Sequence, residues 1–250
     1  MSASTTVAST PLVTSSSSLY TTPKFWELLW RSAGIQAVGL FIVGYFVYGD
    51  QPRLASSPDT LASFYDGNRM RILIATFIFG MAVLNLLWFA AAIRGVLRDA
   101  GQDGWGAAVT ASSAVLGGVL LMLMTVGATL AYKIAGSGNP TLTSALTDVA
   151  WACIVMTSFP RAMLIMAGTF GLWRAGIISN ALFGAGVGAL VLVLLGGATW
   201  ATDGILAPDG AYSRFISPII GIAWIVVISG VLLKSPSAAP KPDRETQAQW

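Results

Sequence analysis

The chain contains no histidine and a single cysteine, Cys153. The first absence removes the common haem and copper ligand, zinc–histidine motifs and the most frequent general base. The second rules out any intramolecular disulfide, and Cys153, in apolar company, reads as a small buried residue. Charge is scarce as well: 10% of the 250 residues are Asp, Glu, Lys or Arg, against about a quarter in a soluble domain. The net charge of +3 is scattered over segment ends, so nucleic acid is not an expected partner. Glu27, Asp99 and Asp103 stand singly near segment ends, which leaves no framework for a paired-carboxylate metal site. Neither a cofactor, a metal nor a catalytic activity is expected from this inventory.

Apolar residues are abundant: 55% of the chain is hydrophobic and the mean hydropathy is +0.71. That composition reads as an integral membrane protein in contact with the lipid bilayer. Six runs are expected to cross it, at about 28–48, 72–93, 105–132, 148–172, 177–200 and 212–233. They are too long and too uniformly apolar for barrel strands of about ten alternating residues, so the expected fold is all-α, a polytopic six-transmembrane-helix bundle over 24–234. The Ser/Thr-rich stretch 1–23 lacks the basic and apolar regions of a signal peptide; it and 235–250 read as disordered cytoplasmic tails.

Lysine and arginine set the expected orientation. With the N-terminus inside, Lys24, Arg31, Arg94, Arg98, Arg174, Lys234, Lys241 and Arg244 lie on the inner side, against Arg53, Arg69, Arg71, Lys133 and Arg214 outside. Eight against five favours N-in/C-in. Trp26, Trp30, Trp105 and Trp173 are expected at the inner interface, Trp151 and Trp200 at the outer one, and Trp88 and Trp224 between helices.

The segments "FYDGNRMRILIATFIFG", "LLWFAAAIRGVLRDAGQDGWG" and "APDGAYSRFISPIIGIAW" resemble those of uncharacterised small multipass membrane proteins from actinomycete-type bacteria. The resemblance covers most of residues 25–233. It implies a location in the bacterial inner (plasma) membrane and brings no activity or site residues with it.

One ionisable residue falls well inside the predicted spans: Arg161, in "SFPRAMLIM". An intramembrane arginine is costly and marks a functional candidate. Counted from the predicted outer segment ends at 1.5 Å per residue, Arg161, Asn85 and Gln36 all lie about 18–20 Å deep. Trp224 reaches the same level and offers a ring face to the guanidinium. Pro160 cannot donate to the carbonyl of Met156, which supplies a further acceptor. With no carboxylate at that depth, three readings stand. Arg161 is a structural hub with neutral partners, or an anion site for a lipid head group or carboxylate, or it lies at a wet break where the helix ends near Phe159.

Three local features complete the reading. Ala181, Gly184 and Gly188 share one face of the fifth segment, a small-residue pattern that favours close helix packing inside the bundle over homo-oligomerisation. Ser57, Pro58 and Asp59 form a helix start in the first outer loop, with Gly67 as its stop. Glu27 and Arg31 are spaced for an ion pair. The function expected is that of a non-enzymatic accessory or scaffold subunit of the cell envelope, with other membrane subunits and an anionic lipid as partners. The alternative is a small transporter or anionic-lipid-binding protein using the level around Arg161.

Overall fold

The computed structural model describes residues 23–234, and every regular element among them is helical. Of the two expected tails, 1–23 and 235–250, all but Pro23, the first residue of α1, fall outside the described residues. The elements are α1 (Pro23–Arg31), α2 (Ala33–Tyr48), α3 (Pro58–Gly67), α4 (Arg69–Asp99), α5 (Asp103–Thr129), α6 (Pro140–Met156), α7 (Ser158–Arg174), α8 (Asn180–Leu195) and α9 (Ser217–Lys234). A π-turn, Leu130–Ile134, and a 3₁₀ turn extend α5 to Ser137, and a second π-turn, Tyr212–Ile216, leads into α9.

Five stretches are long and apolar enough to cross a membrane: Arg69–Asp99, Asp103–Ser137, Pro140–Arg174, Asn180–Ala198 and Tyr212–Lys234. The chain is a multipass membrane protein whose lipid-facing surface carries exposed Phe77, Leu84, Val115 and Ile219. The sixth expected span is different. Its apolar helix α2 has 16 residues, about 24 Å, and is offset from α1 by a break at Ser32. Backbone bonds nevertheless bridge the break, Ser32 N–H to Leu28 O at 3.0 Å and Gln36 N–H to Ser32 O at 3.1 Å.

Neighbours in the bundle run α2–α4–α5–α7–α8–α9, and α9 closes back on α2. Helices α2 and α9 are antiparallel with matched ends. Arg31 Nη1 donates to Leu232 O at 2.9 Å at what we term the near end, and Arg214 meets Asp50 at the far end. Two near-end turns are closed by glycines in the left-handed region. After α4, Gly101 (φ 73°) donates to Arg98 O and Gln102 to Leu97 O; after α7, Gly176 (φ 70°) donates to Trp173 O and Ile177 to Leu172 O. Both are the Schellman pattern, which satisfies carbonyls that a helix end leaves unpaired.

The near-end half holds the main core, with Phe89, Ile93 and Leu97 of α4, Leu164, Ile165 and Leu172 of α7, and Trp224, Ile228 and Leu232 of α9. Lipid offers apolar side chains nearly the same environment as a protein interior, so close approach matters more here than burial from water. Glycines supply it: a Cβ on Gly168 would sit 2.7 Å from the Trp224 ring, and one on Gly34 only 2.2 Å from Ser229 Oγ. At the far end a second cluster, Tyr65, Ile72, Leu130, Ala131 and Ala135, joins α3 to α4 and the extension of α5.

Several expectations shift. The helices overrun their hydropathic segments, because polar residues such as Arg69, Arg98 and Thr143 continue a helix past its apolar stretch. Helix α3 starts as expected, with Ser57 Oγ accepting from Thr60 N–H at 3.2 Å and Pro58 in the first turn, and Gly67 is its last residue. Its Leu61 and Tyr65 are fully buried against neighbouring helices. Trp151 is not interfacial but buried at 3% exposure, since α6 begins at Pro140 and carries it about three turns inward. Trp88, expected between helices, is 57% exposed on the outer surface of α4. The Glu27 side chain lies outside the described residues, so its pairing with Arg31 is not described.

Candidate functional site

The segment around Pro160 is interrupted, but not where the proline alone would suggest. Helix α6 ends at Met156, Thr157 links, and α7 begins at Ser158. Pro160 therefore stands in the first turn of α7, where backbone N–H groups lack intrahelical acceptors and a missing donor costs little. The backbone ladder spans the joint, with Thr157 N–H donating to Cys153 O at 3.0 Å and Arg161 N–H to Thr157 O at 3.1 Å. The interruption lies at Thr157, two residues before Phe159, and α7 carries the helix on through Pro160 and Arg161.

Arg161 lies deep in the bundle, with part of its surface still accessible. Its Nη1 donates to Ser217 Oγ at 3.3 Å, and its Nη2 donates to Thr157 Oγ1. Thr157 is one helical turn before Arg161, and Ser217 opens α9. The aliphatic stem crosses Gly221, one turn further along α9, where a Cβ would stand 2.9 Å from Arg161 Cδ. Glycine at 221 is what lets the arginine lie flat on α9.

Hydroxyls gather around this point. A Cβ on Gly196, at the end of α8, would meet Ser158 Oγ at 2.7 Å and Ser217 Oγ at 2.8 Å. Ser213 Oγ donates to Thr199 Oγ1 at 2.6 Å, and Thr199 Oγ1 donates to Gly196 O at 2.7 Å. Thr157, Ser158, Thr199, Ser213 and Ser217 are all buried. No carboxylate among the described residues pairs with Arg161, and no group of three His, Cys, Asp or Glu side chains gathers among them anywhere. The result is a guanidinium set among neutral hydroxyls, with two of its five N–H donors on side-chain acceptors.

The other residues expected at this level lie elsewhere. Trp224 stacks edge-on against Phe89 at 6.1 Å and donates from Nε1 to Thr169 Oγ1 at 3.0 Å, two turns of α7 below Arg161. The Asn85 amide donates to Met81 O at 2.9 Å within its own helix. Gln36 donates to Leu29 O at 3.2 Å and to Ser32 Oγ at 2.8 Å, across the α1–α2 break. Counting from predicted ends placed them together because those ends do not lie at one height: Ser217, at the level of Arg161, is only about 7.5 Å along the helix from Tyr212. Hydroxyls, not the carbonyl expected of Met156, accept from the arginine. The signal that marks its true partners is present in the sequence, as polar or small residues one turn apart: Thr157 and Arg161 on one segment, Ser213, Ser217 and Gly221 on another.

The small-residue face also turns the other way from expectation. Ala181, Gly184 and Gly188 are exposed, and a Cβ on either glycine would meet nothing within 4 Å. The internal approach of α8 to α7 is made by Gly186, whose Cβ would meet Thr169 Cγ2 at 2.4 Å. Cys153 is buried and free, as a small packed residue would be. At the near end an open cleft of about 450 Å³, at the start of α5, holds both Asp103 and Arg174, so its charge is mixed. No protein-family model matches the chain, and no curated protein or solved structure matches it either.

Proposed function

We propose that this chain is a non-enzymatic membrane protein that crosses a bacterial plasma membrane six times and holds an anionic group against Arg161. The observation that carries the reading is a deep guanidinium whose side-chain partners are two hydroxyls and whose charge meets no carboxylate among the described residues. Placing an arginine at the centre of a membrane helix costs about 2.5–3.5 kcal/mol on insertion scales. Two hydroxyl partners, at about 1.5–3 kcal/mol for each hydrogen bond to a charged group, offset a cost of that size. They leave three N–H donors and a positive charge, which suit an oxyanion with several acceptor oxygens. The antiparallel match of α2 to α9 supports six crossings, and the excess of Lys and Arg on the side of both termini supports N-in/C-in.

The test is purification in gentle detergent, with native mass spectrometry of bound lipids and proteins, for wild type, Arg161→Leu and Arg161→Lys. The site reading expects an anionic lipid or oxyanion on wild type, its loss in a folded Arg161→Leu protein, and partial retention with lysine. An Arg161→Leu chain that no longer folds would instead make the arginine a structural hub. A wild-type chain that carries no anion but retains a defined protein partner would return the accessory-subunit reading.

A further inference from the structure

A second arginine stands about one turn above the site on the same helical segment as Ser217. Arg214 lies in the π-turn before α9, next to Ser213 and three residues before Ser217. Only 16% of its side chain is exposed. Along α9 it is about 4.5 Å above Ser217, the residue that accepts from Arg161. Ser217 thus lies on the Arg161 side of Arg214 along α9, while Ser213, just beyond Arg214, donates to Thr199 Oγ1 at 2.6 Å. π-turns widen a helix locally and often mark functional positions.

Unlike Arg161, Arg214 has a carboxylate. Its Nη2 donates to Asp50 Oδ1, and also to Gln51 O at 3.4 Å. Asp50 comes from the α2–α3 loop and is 92% exposed apart from this contact. The loop is held in place: Gly49 takes φ 81°, with the Arg71 guanidinium packed against it, and Leu54 N–H donates to Asp209 Oδ2 at 2.9 Å across to the α8–α9 loop. A carboxylate is itself an oxyanion, and one that is almost fully hydrated on its other faces exchanges readily.

We propose that Arg214 is an outer binding residue for the same oxyanion that Arg161 holds, with the Asp50 carboxylate occupying it as a tethered competitor. The inference rests on the anion-site reading of Arg161. The ligand class is a phosphate-type oxyanion, free or carried on a lipid head group. It displaces Asp50 from Arg214 and moves past the Ser217 hydroxyl to Arg161, about one turn deeper. No bond is made or broken in this exchange.

The experiment uses the full-length chain in nanodiscs of two compositions. In phosphatidylcholine discs, inorganic phosphate is the probe and its affinity is measured. In discs containing phosphatidylglycerol, retention of that lipid is measured by native mass spectrometry. Asp50→Asn is expected to tighten binding about two- to five-fold, the range of an exposed ion pair. Arg214→Gln is expected to weaken it at least as much, with Arg214→Lys restoring part. Asp59→Asn, which removes a charge from α3 at the same end, serves as the control for general surface charge and leaves binding unchanged. An effect confined to one disc composition identifies the free or the lipid-borne anion. If Arg161→Leu abolishes binding while Asp50→Asn and Arg214→Gln do not alter it, the Arg214 role is wrong and the Arg161 site stands. If wild type binds in neither disc, both readings fall.

Discussion

Glycine at position 186 provides a sharp test of how α8 is seated. An alanine there would place its Cβ 2.4 Å from Thr169 Cγ2, 2.6 Å from Thr169 Oγ1 and 3.1 Å from Thr169 Cβ. Threonine is branched at Cβ and stiff at χ1, and here it is also pinned, because Trp224 Nε1 donates to its hydroxyl at 3.0 Å. Relief requires either that α8 move away from α7 or that Thr169 rotate and give up that bond. Overpacking typically costs about 1–3 kcal/mol, and losing the buried bond adds about 0.5–1.5 kcal/mol. Gly186→Ala should therefore destabilise the protein by about 2–4 kcal/mol. Gly184→Ala, two residues away on the same helix, meets nothing within 4 Å and should leave stability unchanged or slightly raised. The assay is equilibrium unfolding in mixed detergent micelles, with helicity and tryptophan fluorescence followed in parallel. Equal costs at the two positions, or a larger one at Gly184, would refute this seating of α8.

Two further outcomes follow from single buried groups. Ser229 is fully buried against α2 with no hydrogen-bond partner for its hydroxyl, so Ser229→Ala should be neutral or stabilise by up to about 1–3 kcal/mol in the same unfolding assay; a loss of stability would mean that the hydroxyl is satisfied. Tyr65, on α3 outside the membrane-crossing helices, has its phenol raised above the ordinary value mainly by burial, with hydrogen bonds to Thr147, Tyr48 and Gln51 acting the other way. A raised native pKa means that the folded state holds the proton more tightly. Its contribution is thus fully present below pH about 10 and lost as pH climbs through the native value. Unfolding followed from about pH 8 to about pH 11.5 should show an alkaline decline that is shallower in Tyr65→Phe, and identical slopes would count against it.

Legibility differed from residue to residue. The start of α3 could be read because Ser57, Pro58 and Asp59 act within one turn, so their effect needs no tertiary partner. Arg161 could be singled out because an ionisable residue in an apolar run is costly wherever the helix packs. Its partners could not, since they depend on how far each helix is shifted along its neighbour. A shift of two turns exchanges Trp224 for Ser217. The same holds for glycine: Gly184, Gly186 and Gly188 look alike in sequence, and only rotation of α8 about its axis puts Gly186 against Thr169 and turns the other two outward.

By itself the amino-acid order determined the class of this protein: hydropathy and length demand helices in lipid, where every backbone group must be satisfied within its own segment. It also determined that a lone basic group would lie among them with no carboxylate of its own segment at that depth. Tertiary structure alone decided what surrounds that group. The register of α7 against α9 brings Ser217 to Arg161, and the matched far ends of α2 and α9 bring Asp50 to Arg214. Lipid-facing apolar residues tolerate many rotations and shifts at little cost, so it is the close contacts at glycines and hydroxyls that select one arrangement.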